Sequence, residues 1–302
     1  MKKYIVAHSP DADDIFMYYA IKFGWITNDP MGGWVGSQNG KLRIKYNFKN
    51  IAEDIETLNQ KALKNIYDVS AISFGVYPFI KDEYALLQTA VSFGYGYGPK
   101  LVKLKGKKLK PNFKVALSGE YTTNALIFKI AYPKAKIVYK NFLDIEEAVL
   151  NGEVDAGVLI HESILTFNEQ LEVEKELWNI WCSLAGEIPL PLGGMAIRRS
   201  IPLFNAIEIE DILTKAVKVA NSHKNILSKM LIERNLVRVD DKILDKYLSL
   251  YANDQSVTLD EEQINAINKL YEIGYKAGIL PKMEDIRKYM IPREYKEWRI
   301  EN

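Results

Sequence analysis

The sequence predicts an α/β chain of two lobes with a ligand cleft between them. Three observations lead there. Strand-like and helix-like patterns alternate from the N-terminus to Ile160, which argues for largely parallel sheets with covering helices. Two segments rich in glycine and proline, Gly94–Pro99 and Pro189–Gly194, bracket a self-contained βαβαβ pattern. The C-terminal third reads as helices alone. A chain that crosses twice between two lobes leaves a cleft, and clefts at domain interfaces favour ligands.

The elements follow in order. Residues 3–8 read as a buried strand, and 13–23 as a helix too apolar for one stripe. Residues 27–41 hold Pro30 and four glycines and form a loop or hairpin tip. Residues 42–48 alternate as a strand. Ile55, Leu58 and Ala62 share one face of a helix over 53–63. A short strand over 69–72 and a helix over 76–81 follow. In the bracketed block, strands are expected at 113–117, 136–140 and 154–160, with helices at 122–131 and 145–151. Four helices close the chain, over 203–221, 224–235, 242–251 and 261–277. The last has Asp260 at its start, Gly278 just past its end and Pro281 beyond, which are the expected boundary signals.

The chain has 302 residues, with 40 basic and 39 acidic side chains and a formal net charge of +1. That balance gives no global field for nucleic acid. The run Lys100–Lys114 holds seven lysines but little aromatic interleaving, and reads as a solvated hairpin. No stretch approaches the roughly 20 apolar residues of a membrane span. The apolar start ends at Ala7, too short for a signal peptide, which points to the cytoplasm. One cysteine, Cys182, forms no intrachain disulfide and no thiolate cage. Histidine occurs three times, at His8, His161 and His223. Imidazole chemistry is therefore confined to three candidates.

Three segments could carry chemistry. Ser9-Pro10-Asp11-Ala12-Asp13-Asp14 follows a strand and opens a helix. Its acids fit the first turn of a helix, and a hard metal ion is the competing reading. Ser9 and Asp13 could contact a ligand under either reading. Ser118–Asn124 also joins a strand to a helix. Its glycine, its free N–H groups and the hydroxyls of Thr122 and Thr123 suit a carboxylate; an ordinary threonine N-cap fits the same residues. His161 ends the strand Val154–Ile160, at the edge where open α/β sheets bind ligands. His8 ends a strand in the first lobe, and His223 lies between two helices.

These segments, in order and spacing, resemble the 1,4-dihydroxy-6-naphthoate synthase family of the futalosine route to menaquinone. The resemblance runs from His8-Ser9-Pro10 to about Gly278. Ser9–Phe16, Tyr67–Ser73, Gly96–Pro99, Tyr121-Thr122-Thr123, Pro189–Gly194 and Asn253–Val257 all take part. The most specific segment is Asp155–Glu162, which resembles the one carrying the family's catalytic histidine. The resemblance implies a two-lobed fold of the type II periplasmic-binding-protein kind. Residues 1–98 with 195–302 would form lobe one, and 99–194 lobe two. It implies that cyclic dehypoxanthine futalosine is cleaved to 1,4-dihydroxy-6-naphthoate with His161 as general base. Thr122 and Thr123 would then hold the aryl carboxylate, and Ser9, Asp13 and Ser73 the sugar. No metal, no organic cofactor, no nucleic acid and no membrane partner is expected; the partner is an anionic small molecule. Asp11-Ala12-Asp13 departs from the family's more usual Cys-Pro-Asn, and Ser163-Ile164-Leu165 is also unusual. The rival readings are chorismate dehydratase, which has the same fold and pathway, and a non-enzymatic solute-binding protein.

Overall fold

A computed structural model describes residues 2–22, 46–237 and 239–292. The expected loop 27–41 and the start of the expected strand 42–48 lie outside the described residues. The remaining elements form two mixed sheets.

The first sheet has six strands in the order β2-β1-β3-β11-β4, with β5 also pairing β11. These are β1 (Lys2–His8), β2 (Tyr46–Ala52), β3 (Val69–Ser73), β4 (Tyr84–Leu86), β5 (Ser92–Gly94) and β11 (Leu190–Arg198). Helices α1 (Ala12–Lys22), α2 (Ile55–Ala62) and α3 (Tyr77–Ile80) connect them. The second sheet has the order β10-β6-β9-β7-β8. Its strands are β6 (Lys100–Leu104), β7 (Lys114–Leu117), β8 (Lys136–Tyr139), β9 (Ala156–Leu159) and β10 (Leu171–Glu176). It carries α4 (Thr123–Ala131), α5 (Ile145–Leu150) and α6 (Leu177–Ala185). Helices α7 (Leu203–Ser222), α8 (Lys224–Glu233), α9 (Asp241–Tyr251) and α10 (Glu261–Lys276) complete the chain.

The expectation of largely parallel sheets needs correction. β1 lies parallel to β2 and β3, and β7 parallel to β8 and β9. However, β11 runs antiparallel to β3, β4 and β5, and β6 antiparallel to β9 and β10. Two misread segments explain the difference. Pro189–Gly194 reads as a crossing because of its prolines and glycines, yet Leu190 onward is strand. Pro191 is tolerated because the register shifts between Pro191 and Gly193, and proline in a sheet is confined to such irregularities and edges. The lysine run likewise hides β6, whose Leu101 and Val102 are fully buried. Its lysines are matched by the neighbouring strand: Lys103 lies 2.5 Å from Glu174 and 3.5 Å from Glu172, and Lys100 lies 3.8 Å from Glu176.

Most other elements form where residue chemistry favours them. Ile15, Phe16, Tyr18, Tyr19 and Ile21 of α1 are buried, as its apolar sequence requires. A capping box starts α10: the Gln263 N–H donates to Asp260 Oδ1 at 2.8 Å, and the Asp260 N–H to Gln263 Oε1 at 3.0 Å. Gly278 follows it at φ +71°, the left-handed position expected there.

Apolar packing does not stop at the lobe boundary. One buried cluster joins Ile72, Phe74 and Leu86 of the first lobe to Leu101, Val115 and Leu117 of the second. α10 packs on α4, α6 and β11 together. At about 1.5–3 kcal/mol for each large side chain buried, this shared core holds the lobes in register. No described helix is long and apolar enough to cross a membrane.

Candidate active site

The cleft opens between the carboxyl ends of parallel strands from both sheets. It holds about 740 Å³, counting its open mouth. Ser9, Asp13, Ser73, Thr122, Thr123 and His161 all line it. Six positions read from sequence in four separate segments thus converge on one space.

The first lobe contributes the β1–α1 turn. The Ser9 N–H donates to Asp14 Oδ2 at 2.7 Å, which closes the turn. The Ser9 hydroxyl is buried against the cleft without a hydrogen-bond partner. Asp13 points to α9, where the Tyr247 hydroxyl donates to its Oδ1 at 3.1 Å. Burial, then Asp11 and Asp14, raise the Asp13 carboxyl well above the usual carboxylate range. Burial and Asp11 likewise push Asp14 up to about 7. Desolvation disfavours a charged carboxyl, and neighbouring carboxylates add to it. Burial thus favours the protonated form of Asp13, which can donate as well as accept. Among the described residues no group of three or more His, Cys, Asp or Glu side chains could hold a metal ion. Ser73 is clasped by fully buried Asn59, which accepts from the Ser73 N–H at 2.9 Å and donates to its hydroxyl at 3.1 Å.

The second lobe contributes the β7–α4 turn. Thr122 is the N-cap of α4: its Oγ1 accepts from the Ala125 N–H at 3.1 Å and donates to the Gly119 carbonyl at 3.0 Å. The Thr123 hydroxyl accepts from the Gly75 N–H at 3.1 Å and donates to the Leu192 carbonyl at 2.7 Å. Both hydroxyls are thus engaged by the fold. The first-turn N–H groups of Thr123 and Asn124 have no intrahelical acceptor, and they sit at the positive end of the helix dipole. The buried Asn124 Oδ1 lacks a partner beside them. The bare backbone at Gly119 serves the partner lobe: a Cβ there would meet the Glu56 side chain at 2.3 Å, and Glu56 Oε2 accepts from the Tyr121 N–H at 3.1 Å. Gly75 works the same way from the other side, since its Cβ would lie 2.8 Å from the Tyr121 carbonyl.

His161 follows β9 and begins a 3₁₀ turn over His161–Ile164. Its φ is +55°, a left-handed conformation uncommon outside glycine. Its Nδ1 lies 2.5 Å from Asp11 Oδ2, and both side chains are largely shielded from water. The Phe142 ring meets the imidazole edge-on at 4.8 Å. Next to this pair, the Ala12 N–H donates to Glu162 Oε1 at 2.9 Å.

The other histidines differ. His8 Nδ1 contacts the Ser9 carbonyl at 2.6 Å, Nε2 meets Asn50, and the ring stacks on Tyr18 at 5.0 Å. Burial lowers its pKa. His223 sits at the α7–α8 junction, with Nδ1 3.1 Å from the Val219 carbonyl.

Sequence reasoning missed three cleft residues. Asp11 reads as one helix-start acid among several, with nothing local to mark it as the partner of a residue 150 positions away. Asn124 closes the Ser118–Asn124 segment, where the glycine and the two threonine hydroxyls draw the reading instead. Tyr247 falls on the apolar face of α9 with Leu244, Leu248 and Tyr251, where a tyrosine looks like core.

Two mixed sheets facing each other across a polar cleft define the class: the fold is that of the periplasmic binding proteins. The alkanesulfonate-binding protein SsuA of Xanthomonas axonopodis pv. citri, solved with MOPS bound, is 10% identical, with a TM-score of 0.66 over 96% of this chain and 98% of its own. That likeness shows the fold alone. Within the class, the chain belongs to the menaquinone biosynthesis family, whose model matches residues 4–276. A Streptomyces coelicolor protein named 1,4-dihydroxy-6-naphthoate synthase is 26% identical over 92% of this chain and 95% of its own length. Protein AF1704 of Archaeoglobus fulgidus is 32% identical, with a TM-score of 0.80 over 92% of this chain and 98% of its own.

Proposed function

We propose that this chain is a 1,4-dihydroxy-6-naphthoate synthase, a carbon–carbon lyase acting on cyclic dehypoxanthine futalosine in the cytoplasm. The observation that carries the reading is the convergence of His161, Ser9, Asp13, Ser73, Thr122 and Thr123 on one cleft. Membership of the menaquinone biosynthesis family supports it.

In this reading His161 is the general base. With Nδ1–H directed to Asp11, Nε2 is the basic nitrogen. It takes a proton from the substrate; the electron pair released forms a new π bond as the carbon–carbon bond breaks, the pair of that bond passes to the ring fragment, and aromatisation of the product drives the step. The aryl carboxylate lies at the start of α4, where the backbone N–H groups of Thr123 and Asn124 meet it. The roles of Thr122 and Thr123 are then to shape that helix start rather than to offer their hydroxyls. Ser9, Asp13 and Ser73 meet the sugar part. The upward shift of Asp13 suits this task, since its protonated form puts no negative charge before an anionic substrate. The lobes, 1–98 with 195–302 and 99–194, exclude water and align the proton with His161. The chemistry uses side chains and backbone alone, with no metal or organic cofactor, and needs neither nucleic acid nor a membrane.

The test is to incubate the purified chain separately with cyclic dehypoxanthine futalosine and with chorismate. The expected outcome is 1,4-dihydroxy-6-naphthoate from the first and no turnover of the second. Dehydration of chorismate would assign the sibling activity, and binding without product would make it a solute-binding protein.

A further inference from the structure

We propose that Asp11 is the positioning residue for His161, reaching across the cleft from the opposite lobe to fix the tautomer and orientation of its imidazole. The proposal deepens the general-base reading and rests on it for its kinetic consequences, but its geometry stands by itself.

Four observations carry it. The Nδ1–Oδ2 separation of 2.5 Å puts the ring nitrogen and the carboxyl, both largely shielded, in direct hydrogen-bonding contact. The two residues belong to different sheets: Asp11 lies in the turn after β1, and His161 directly follows β9. The adjacent residues repeat the crossing, with the Ala12 N–H on Glu162 Oε1 at 2.9 Å. Residues 11–12 and 161–162 therefore form a two-point clasp, which sets translation and rotation of one turn against the other. Finally, His161 holds a left-handed φ of +55° that its backbone does not favour. Contacts from outside its own segment must hold it there, and Asp11 and Phe142 supply two of them from different directions.

The consequence is a base assembled from both lobes. A carboxylate on Nδ1–H holds the imidazole with Nε2 basic, and it stabilises the imidazolium once a proton is taken. Asp13 and Asp14 also interact with the imidazole, Glu162 acts on Asp13, and Tyr247 completes the wall behind Asp13. Of these, Asp11 is the group in direct contact with the ring nitrogen.

The experiment is an NMR titration of the imidazoles in the full-length chain. Only three histidines give signals, so the signal lost in His161→Asn identifies the one of interest. In the unaltered protein, nitrogen shifts are expected to report Nδ1–H as the neutral tautomer. Finding Nε2–H would overturn the proposal without any variant and whatever Asp11→Asn does to folding. In folded Asp11→Asn the midpoint should fall by about one pH unit or more, as loss of a contacting opposite charge requires. The acid limb of kcat/KM should move with it, and kcat should fall while KM holds. Asp11→Glu should recover part of both. An unchanged midpoint in folded Asp11→Asn would reject Asp11 as the positioning group. A shifted midpoint in a chain that makes no naphthoate would reject the proposed function and leave the clasp standing. Naphthoate formation with an unmoved midpoint would do the reverse.

Discussion

The β1–α1 and β7–α4 turns are built alike and furnished oppositely. Each leaves a parallel strand, opens a helix and faces the cleft. The first turns Asp11, Asp13 and Asp14 to the cleft; the second turns Thr122, Thr123 and Asn124 to it, while its one acid, Glu120, is exposed and does not line it. The first thus concentrates carboxyl groups that burial forces toward neutrality, while the second leaves a bare helix N-terminus for an anion. The histidines differ in the same way. His8 ends the parallel strand β1 and His161 follows the end of β9, yet His8 is wedged between Asn50, Tyr18 and its own turn. Only His161 pairs with a carboxylate and lines the cleft. Strand-end position brings a histidine near the ligand, and its partners decide what it can do.

The largest effect should break the histidine comparison if it is wrong. His161→Asn should lower kcat by about 10²–10⁴ while the thermal unfolding midpoint stays close to wild type. An enzyme that keeps full turnover would remove His161 from the chemistry.

The next variant probes the acidic turn. The Asp14 carboxyl is pushed up to about 7 in the folded chain, against an ordinary value near 3.8 when unfolded. Between those values the folded chain keeps a proton that the unfolded chain has released. Stability is therefore full below about pH 4 and falls as pH rises to about 7. Asp14→Asn keeps an acceptor for the Ser9 N–H and should flatten much of that slope. The expected gain at pH 8 is on the order of a few kcal/mol, read by urea unfolding across pH. Asp13, shifted in the same direction, contributes to the slope that remains.

The neutral turn is sharpened by Thr123→Val, which keeps shape and deletes the hydroxyl. It strands the buried Gly75 N–H, while the Leu192 carbonyl keeps the Phe74 N–H, so denaturant unfolding should show a loss of about 1–3 kcal/mol. KM for the substrate should change little if backbone N–H groups hold the carboxylate. A large rise in KM would return the hydroxyl to the binding role first read from sequence.

The smallest effect on turnover is expected at His8. His8→Asn should leave kcat near wild type and lower stability modestly, through lost stacking on Tyr18. A loss of kcat comparable to that of His161→Asn would erase the distinction between the two strand ends.

How much of this was legible follows from the range of each interaction. α1, α2, α4 and α10 could be read because caps and apolar spacing act within a few residues. β11 could not, because Pro191 and two glycines are local breakers that only pairing with β3, β4 and β5 overrules. β6 was masked by lysines whose acidic partners lie on β10, far along the chain. At the site, His161, Ser9, Asp13 and Ser73 could be placed from strand ends and family resemblance. The tie between Asp11 and His161 could not, since it exists only once two distant turns meet. The departure at Asp11 from the family's usual cysteine was visible as an oddity, but the structure supplies its physical partner.

The position of β11 also bears on the order in which the protein is made. β11 hydrogen-bonds to β3, β4 and β5, so β4 and β5 have no strand to join until Leu190–Arg198 has been synthesised. By then every strand of the second sheet, β6 through β10, has already been synthesised. The lobe that begins second is thus the first whose sheet can close, and the strand that returns from it completes the lobe that began the chain.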